Sequence, residues 1–386
     1  MALIAAAHAE THVQSAIYPL VYPYAMISLG FGYPELGAIV GAATLVSGLL
    51  QGIHGWLSRW VRRKALVGGG NIFLGLSLML SGISNGLGIF TAGRVASGVA
   101  ASPQHPMAAS LISDWYPSKR RATALSLHFS GGNVGTVLTP LVGAFLIALV
   151  GWQRTLILFG IPGLIIGALV WRYLKDDRPP MAAGRPEENR KPSYFGAFKN
   201  RNVVKLISAR AMTAAGRGLG VITVYVPLYL AQSLHYGVIE VGFFFTVLAA
   251  GSVFSPVIGG TVADRWVGRK RVIIVSLLFS SLATVGLVMA RASPLLVGVA
   301  LFGLGLAVFN EGPLSQALLS DSTTKENRDG AFSMYFVVSY VGGAFWGFLI
   351  AYIIGIYGFV PAFELIAATY IPPAVVYSTV KEVREL

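Results

Sequence analysis

The chain has no cysteine and little charge, and both absences narrow what it can be. Without cysteine among its 386 residues, disulfide bonds, thiolate metal ligands and cysteine nucleophiles are excluded. Charged residues make up only 12% of the sequence, about half of the share in a typical soluble protein, whereas hydrophobic residues make up 55%. The composition therefore predicts an integral membrane protein.

Hydrophilic stretches are also scarce. One segment, 175–202, has the proline and charge content of a solvated linker. The rest consists of long apolar runs, and a membrane-spanning helix needs about 20 such residues. We predict twelve transmembrane helices, at 5–28, 35–58, 65–84, 87–113, 122–149, 154–174, 203–232, 239–263, 271–290, 295–320, 330–354 and 360–380. They form an N-terminal six-helix bundle at 1–174 and a C-terminal six-helix bundle at 203–386, joined by the linker.

Basic residues dominate the charge and lie mostly on one side of the predicted membrane. The chain has 29 Lys and Arg against 16 Asp and Glu, a formal net charge of +13. Most of the basic residues fall in alternate loops, in the linker and near the C-terminus, which predicts that both termini and the linker are cytoplasmic. This pattern explains the charge without a nucleic-acid partner. The first apolar stretch lacks a basic leader, so we expect a transmembrane helix there and no cleaved signal peptide.

The two halves of the chain are weak copies of one another. Several charged residues recur about half a chain length further on, in the same order and with nearly constant spacing. The clearest pairs are Glu35 with Glu240, Arg63 with Arg269, Asp114 with Asp321, and Arg121 with Arg328. A membrane protein built from two similar halves suggests a transporter whose substrate site lies between them.

Three segments resemble motifs of the major facilitator superfamily. Residues 260–270, GTVADRWVGRK, are similar to its loop pattern G-x-L-A-D-R-x-G-R-K with one extra residue. The N-terminal copy at 55–64, GWLSRWVRRK, has Arg59 where the family has Asp. Residues 94–98, RVASG, resemble its R-x-x-x-G pattern. The resemblance covers the whole chain and implies an all-α fold of two pseudo-symmetric six-helix bundles. It also implies secondary transport by alternating access, with no enzymatic activity and no cofactor.

A finer resemblance points to one group within that family. The segments HAETH at 8–12, YPELG at 33–37 and SGLLQ at 47–51 look like the fosmidomycin-resistance-like group. Residues 135–143, GTVLTPLVG, resemble the antiporter motif, although Thr139 replaces an expected glycine. This resemblance implies proton-coupled efflux of a small organic solute, which is anionic in one version. The alternative is proton-coupled uptake or exchange of an organic anion. Metal-ion transport is a further alternative, and a membrane enzyme or a receptor is an alternative from another class.

Polar residues inside predicted helices are the candidates for binding the substrate. A charge at the centre of a bilayer costs about 2.5–3.5 kcal/mol even on the lenient insertion scale, so such a residue should face a partner or a watery cavity. Arg94 and Arg217 are candidate anion-binding cations, and the alternative for Arg217 is a structural pair with Glu10 or Glu311. The predicted substrate-binding residues are Arg94, Arg217, His12, Gln14, Tyr18, His105, His128, Asn133 and Asn310.

Embedded acids and histidines are the candidates for carrying protons. We predict proton coupling at Glu10, Glu311 and His12, and the alternative for both acids is a permanent salt bridge. His8 and His12 are one helical turn apart and share a face. Glu10 points to another face, so we predict no metal site. The predicted partners are a small molecule, protons and the bilayer around a monomer in a prokaryotic plasma membrane.

Charged residues at the cytoplasmic ends of the helices are the candidates for a gate. They recur in both halves, which favours inter-helix contacts that hold the cytoplasmic side shut. The alternative is ordinary surface pairing worth about 0–1 kcal/mol. The predicted gating residues are Asp114, Arg121, Asp264, Arg265, Arg269, Asp321 and Arg328.

Overall fold

The structure, a computed structural model, is helical in every regular element that it describes. The described residues are 1–58, 60–116, 118–176, 199–216, 220–290, 293–324 and 327–382. The helices of the first half are α1 (Ala2–Leu29), α2 (Tyr33–Leu57), α3 (Arg63–Gly82), α4 (Leu87–Ala101), α5 (Gln104–Trp115) and α6 (Ser118–Tyr173). Those of the second half are α7 (Arg201–Met212), α8 (Val221–Leu228), α9 (Val238–Val262), α10 (Arg269–Met289), α11 (Pro294–Val308), α12 (Glu311–Asp321), α13 (Arg328–Tyr357), α14 (Phe359–Thr369) and α15 (Ile371–Ser378).

The chain divides into two compact units. One consists of Met1–Pro186 with Tyr236–Gly242, and the other of Glu187–His235 with Phe243–Leu386. Among the described residues, eight helical segments are long and apolar enough to cross a membrane. One of them, Gly131–Tyr173, covers two predicted spans. The remaining predicted spans correspond to α1, to the pair α4 and α5, and to α7 and α8.

The internal repeat is visible in where the helices break. The fourth predicted span of each half is interrupted at corresponding positions, Ser102-Pro103 between α4 and α5 and Phe309-Asn310 between α11 and α12. The last two spans of each half meet at a glycine with positive φ, Gly151 at 81° within α6 and Gly358 at 83° between α13 and α14. Because L-residues with a Cβ rarely adopt this conformation, glycine is required at both junctions.

A glutamate caps the N-terminus of the second helix in each half. The Glu35 carboxylate accepts a hydrogen bond from the backbone N–H of Gly32 at 2.9 Å, and Glu240 accepts one from Gly237 at 2.8 Å. Each carboxylate reaches back three residues to a donor that the helix itself leaves unpaired. The recurrence of this pair in the sequence therefore reflects the same helix start in both halves.

Glycines allow the helices of each unit to approach closely. In the first unit α3 packs against α6, where a Cβ on Gly75 would collide with the backbone of Gly160 and lie 3.1 Å from the amide nitrogen of Leu164. In the second unit a Cβ on Gly251 would lie 2.6 Å from the carbonyl carbon of Gly305. Such contacts between small residues hold membrane helices together by van der Waals packing, since burial of apolar surface drives little association in lipid.

We expect Gly75→Ala to lower the melting temperature of the purified protein, because overpacking a close helix contact costs about 1–3 kcal/mol. Gly286→Ala is the matched control, since Gly286 also lies within a helix but its Cβ would meet no atom within 4 Å. Alanine there gains helix propensity of up to about 1 kcal/mol. Equal melting temperatures for the two variants in detergent would contradict the packing argument.

Candidate functional site

The first candidate site surrounds Arg94 on α4. The Arg94 Nε donates a hydrogen bond to the Tyr22 hydroxyl at 2.9 Å, and Nη1 donates to the Ser97 hydroxyl at 3.1 Å. The guanidinium carbon lies 4.8 Å from the centroid of the Tyr18 ring, and the Gln14 amide donates to Ser97 at 2.7 Å. No carboxylate among the described residues pairs with Arg94. The structure thus brings together three predicted substrate residues, Arg94, Gln14 and Tyr18, around an uncompensated cation.

The second candidate site is a cluster of four histidines contributed by α1, α5 and α6. The His8 ring centroid lies 4.6 Å from that of His12, 5.0 Å from His105 and 4.2 Å from His128. His8 Nδ1 is 3.0 Å from the backbone carbonyl oxygen of His128, and His12 Nδ1 is 2.8 Å from the hydroxyl of Thr136. The predicted residues His12, His105 and His128 therefore meet, together with His8, inside the first unit.

Glu10 lies on the same helix but outside this cluster. It is 3% exposed, and its Oε1 has no hydrogen-bond partner within the described residues. Glu10 is two positions from both His8 and His12, so its side chain lies on another face of α1. Arg217, which we considered as its partner, lies outside the residues that the structure describes.

The third candidate site is a buried ion pair in the second unit. The guanidinium of Arg210 on α7 pairs with the carboxylate of Glu311 at the start of α12. The Tyr377 hydroxyl donates a hydrogen bond to Glu311 Oε1 at 2.7 Å, and Arg210 Nε donates to the Ser339 hydroxyl at 3.1 Å. The Arg210 guanidinium carbon also lies 5.2 Å from the centroid of the Tyr335 ring. The sequence analysis offered Arg217 as a partner for Glu311, whereas the structure pairs it with Arg210.

Two predicted substrate residues lie apart from these sites. The Asn310 amide, next to Glu311, donates hydrogen bonds to the Ser276 hydroxyl and to the carbonyl of Leu306, both at 3.1 Å. These contacts hold the break between α11 and α12. Asn133 is partly buried on α6, beside the histidine cluster in sequence.

Arg63 is buried and pairs with two acids of the first unit, one of which is the predicted gating residue Asp114. Arg63 Nη1 is 2.7 Å from Asp114 Oδ2, and Nη2 is 2.9 Å from Asp176 Oδ1. Asp176 also accepts a hydrogen bond from the backbone N–H of Lys64 at 3.2 Å, at the N-terminus of α3. Its side chain is only 1% exposed. Asp176, which the predicted linker 175–202 includes, is thus buried and belongs to the first unit.

The second half repeats this arrangement with exposed side chains. Arg269 pairs with Asp321 at 2.5 Å and with Asp264 at 3.3 Å. Glu382 accepts hydrogen bonds from the backbone N–H groups of Arg269 and Lys270, at the N-terminus of α10. An acid that follows the last helix of each half thus binds the start of the third helix, where the helix dipole favours a negative charge.

Three predicted gating residues remain, Arg265, Arg121 and Arg328. Arg265 is exposed and forms no ion pair within the described part of the chain. The side chains of Arg121 and Arg328 lie outside that part, so their pairing with Asp114 and Asp321 stays a prediction. The sequence analysis missed Asp176 and Glu382, although they occupy corresponding positions in the two halves and follow the register of the repeat.

The comparisons with known proteins agree with this architecture. A model of the Major Facilitator Superfamily matches residues 6–266 and 206–384. The chain is 23% identical over 393 residues to a probable galactarate/D-glucarate transporter of Escherichia coli, covering 92% of this chain and 84% of that protein. It is 26% identical over 271 residues to a protein of Agrobacterium vitis described as a tartrate transporter, covering 62% of this chain and 60% of that protein.

A solved structure shares the fold. The inward-facing, occupied structure of a bacterial homologue of the human lysosomal transporter Spinster superposes with a TM-score of 0.80, at 16% identity, covering 97% of this chain and 95% of that chain. These matches confirm the predicted all-α fold of twelve membrane helices and the prediction that the chain is not an enzyme. They do not support the finer resemblance to the fosmidomycin-resistance-like group.

We expect Asp176→Asn to destabilise the protein strongly, since removing one partner of a buried ion pair costs about 3–5 kcal/mol. Retention of Asp114 beside Arg63 should place the loss at the lower end of that range. Asp321→Asn is the matched control, because the Asp321 side chain is 49% exposed and such pairs are worth about 0–1 kcal/mol. Thermal unfolding in detergent checks both variants, and a larger effect at Asp321 would refute the comparison.

Proposed function

Because the chain belongs to the major facilitator superfamily, we propose that it is a secondary transporter that carries a small organic anion through alternating access. It is a multi-pass membrane transporter and not an enzyme. The finer points of our proposal are the charge of the substrate, its contact with Arg94 and the coupling of its movement to protons.

The observation that carries the proposal is that no acid among the described residues pairs with Arg94. It lies within a membrane helix, is partly buried, and is surrounded by hydroxyl groups and an aromatic ring. A cation in this environment is costly unless it is paired or faces a watery cavity. Since no described carboxylate pairs with Arg94, an anionic substrate is the partner that would complete its charge balance.

The other buried arginines support this interpretation by contrast. Arg63 is neutralised by two aspartates, and Arg210 is neutralised by Glu311. Both have the surroundings of structural or coupling residues. Arg94 differs in that its hydrogen bonds go to neutral groups, which leaves its positive charge available to a ligand.

The relatives suggest the chemical class of the anion. Galactarate, D-glucarate and tartrate, the substrates in their names, are dicarboxylates with several hydroxyl groups. A guanidinium binds a carboxylate through two parallel hydrogen bonds. The buried Tyr22 and Ser97 hydroxyls accept hydrogen bonds from Arg94, and Gln14 donates to Ser97, so these groups hold the guanidinium in place. We therefore propose a polyhydroxylated carboxylate as the substrate.

For proton coupling we propose Glu311. Its charge is balanced by Arg210 and its Oε1 accepts a hydrogen bond from Tyr377. Alternating access requires packed helices to rearrange. If α7 moves away from α12, the Glu311 carboxylate loses the positive charge of Arg210 and needs another. A proton is the smallest cation that can enter a buried site. The role that we predicted for Glu10 stays a prediction.

We expect Arg94→Gln to weaken binding of D-glucarate and tartrate by about 10-fold to 100-fold, which matches the loss of a charge-assisted hydrogen bond of about 1.5–3 kcal/mol. Arg94→Lys, which keeps the charge, should lose less. Isothermal titration calorimetry of the purified protein checks this result. Arg154→Gln is the control because Arg154 is exposed. The anion proposal fails if both ligands bind Arg94→Gln as tightly as the parent protein.

We expect Glu311→Gln to abolish proton movement that is coupled to the anion, while anion exchange across the membrane continues. Because this variant leaves Arg210 unpaired and could be unstable, the double variant Arg210→Gln/Glu311→Gln, which removes both charges, is tested beside it. The measurement uses proteoliposomes that contain a pH-sensitive dye. Assays with the pH gradient in each direction give the proton flux and the direction of transport. Full accumulation driven by a pH gradient in the double variant would exclude Glu311 as the coupling group.

A further inference from the structure

We propose that the histidine cluster of the first unit, His8, His12, His105 and His128, is a binding site for a transition-metal ion of the Zn²⁺ class. The proposed ligands are His8, His12 and His105, and His128 supports His8 through its backbone. This inference does not depend on the proposed anion substrate. It concerns side chains on other faces and helices than Arg94.

The three proposed ligands converge in space although they come from two helices. His8 and His12 are one turn apart on α1, and His105 lies in the first turn of α5. One ring nitrogen from each lies within 4.8 Å of the corresponding atoms of the other two. Around a tetrahedral zinc ion with bonds of about 2.0–2.1 Å, ligand nitrogens are about 3.3 Å apart. No pair of these nitrogens therefore has to close by more than about 1.5 Å to reach that spacing.

The hydrogen bonds of the cluster select the nitrogen that would bind the ion. A carbonyl oxygen only accepts, so the contact of His8 Nδ1 with the His128 carbonyl at 3.0 Å places the proton on Nδ1. The Nε2 of neutral His8 then carries the lone pair. His12 Nδ1 also has a hydrogen-bond partner, the Thr136 hydroxyl at 2.8 Å, which can either donate or accept. A histidine that donates its other ring N–H to an oxygen is the usual supporting arrangement around a bound metal ion.

The neighbouring helix is shaped to admit these rings. A Cβ on Gly132 of α6 would lie 2.8 Å from His8 Nδ1 and 3.1 Å from His12 Cδ2. Gly132 lies one turn from His128 and one turn from Thr136, so the three positions form one face of α6. Along that face lie, in order, a backbone carbonyl that accepts a hydrogen bond, a space for the imidazole rings and a hydroxyl group. The arrangement orients His8 and His12 toward the same centre.

The composition of the cluster favours a metal ion that prefers nitrogen ligands. Imidazole suits Zn²⁺, Cu²⁺ and Ni²⁺, whereas Mg²⁺ and Ca²⁺ prefer oxygen. No acidic residue belongs to the group of metal-ligating side chains found within the described residues. Three histidines leave a fourth position of a tetrahedral ion for water or another small ligand. His8 is buried and His105 is partly buried.

The test is Zn²⁺ binding by the full-length, tag-free protein in detergent, prepared metal-free and without any organic anion. We expect one tightly bound Zn²⁺ per chain in calorimetric titration, and a raised melting temperature because the ion binds the folded state. His12→Gln and His105→Gln should each lose most of this affinity. Thr136→Val, which removes a supporting contact and no ligand, should weaken binding by about 10–100-fold. Co²⁺ in place of Zn²⁺ should give the visible absorption of a nitrogen-ligated tetrahedral ion.

The controls separate this site from surface binding and from misfolding. His235→Asn removes an exposed histidine with a φ of 58°, a conformation that asparagine tolerates, and should leave binding unchanged. Metal-free melting temperatures show whether each variant is folded. The proposal is overturned if the parent protein binds no Zn²⁺, if His12→Gln and His105→Gln bind it as the parent does, or if only His235→Asn reduces binding. Arg94→Gln should bind Zn²⁺ normally, so failure of this site and failure of the anion proposal give different results.

Discussion

The structure depends on one constraint, which is that a charge inside a membrane protein must be balanced where water cannot reach it. An arginine within a membrane helix is stable only beside an acid, beside a bound anion or in a watery cavity. Arg63 and Arg210 meet the constraint with acids from distant parts of the sequence. These ion pairs connect helices that packing of small residues alone would hold weakly. Arg94 meets it differently, and this difference is the basis of the proposed anion site.

The same constraint explains why the two halves share a charge pattern and yet differ. Each half places an arginine at the start of its third helix, pairs it with an aspartate, and binds that helix start with an acid that follows the last helix. In the second half a further acid, Asp264, contacts Arg269. The first half has Arg59 at the corresponding position, which lies outside the described residues. There Asp176 pairs directly with Arg63 and is nearly inaccessible, so the acid from the end of the bundle makes up for the missing loop acid.

Much of the architecture could be predicted from the sequence because bilayer thickness fixes the length of apolar runs. The span positions, the repeat and the helix starts at Glu35 and Glu240 follow from local patterns. The partners in the sites do not, because they depend on how helices rotate against one another. Nothing local indicates that Glu311 meets Arg210 or that His105 meets His8. Only the register of the repeat carried a long-range signal, and it would have related Asp176 to Glu382.

The helix α1 links the two sites of the first unit. His8 and His12 lie on the face that contacts α5 and α6, whereas Gln14 and Tyr18 lie on the face that contacts Ser97 and Ser81 of α4 and α3. At 3.6 residues per turn these two pairs point in directions about 120° apart on the same helix. A rotation of α1 about its axis would therefore move the histidines and the Tyr18 ring beside Arg94 together. The histidine cluster and the surroundings of Arg94 thus share one helix and use different faces of it.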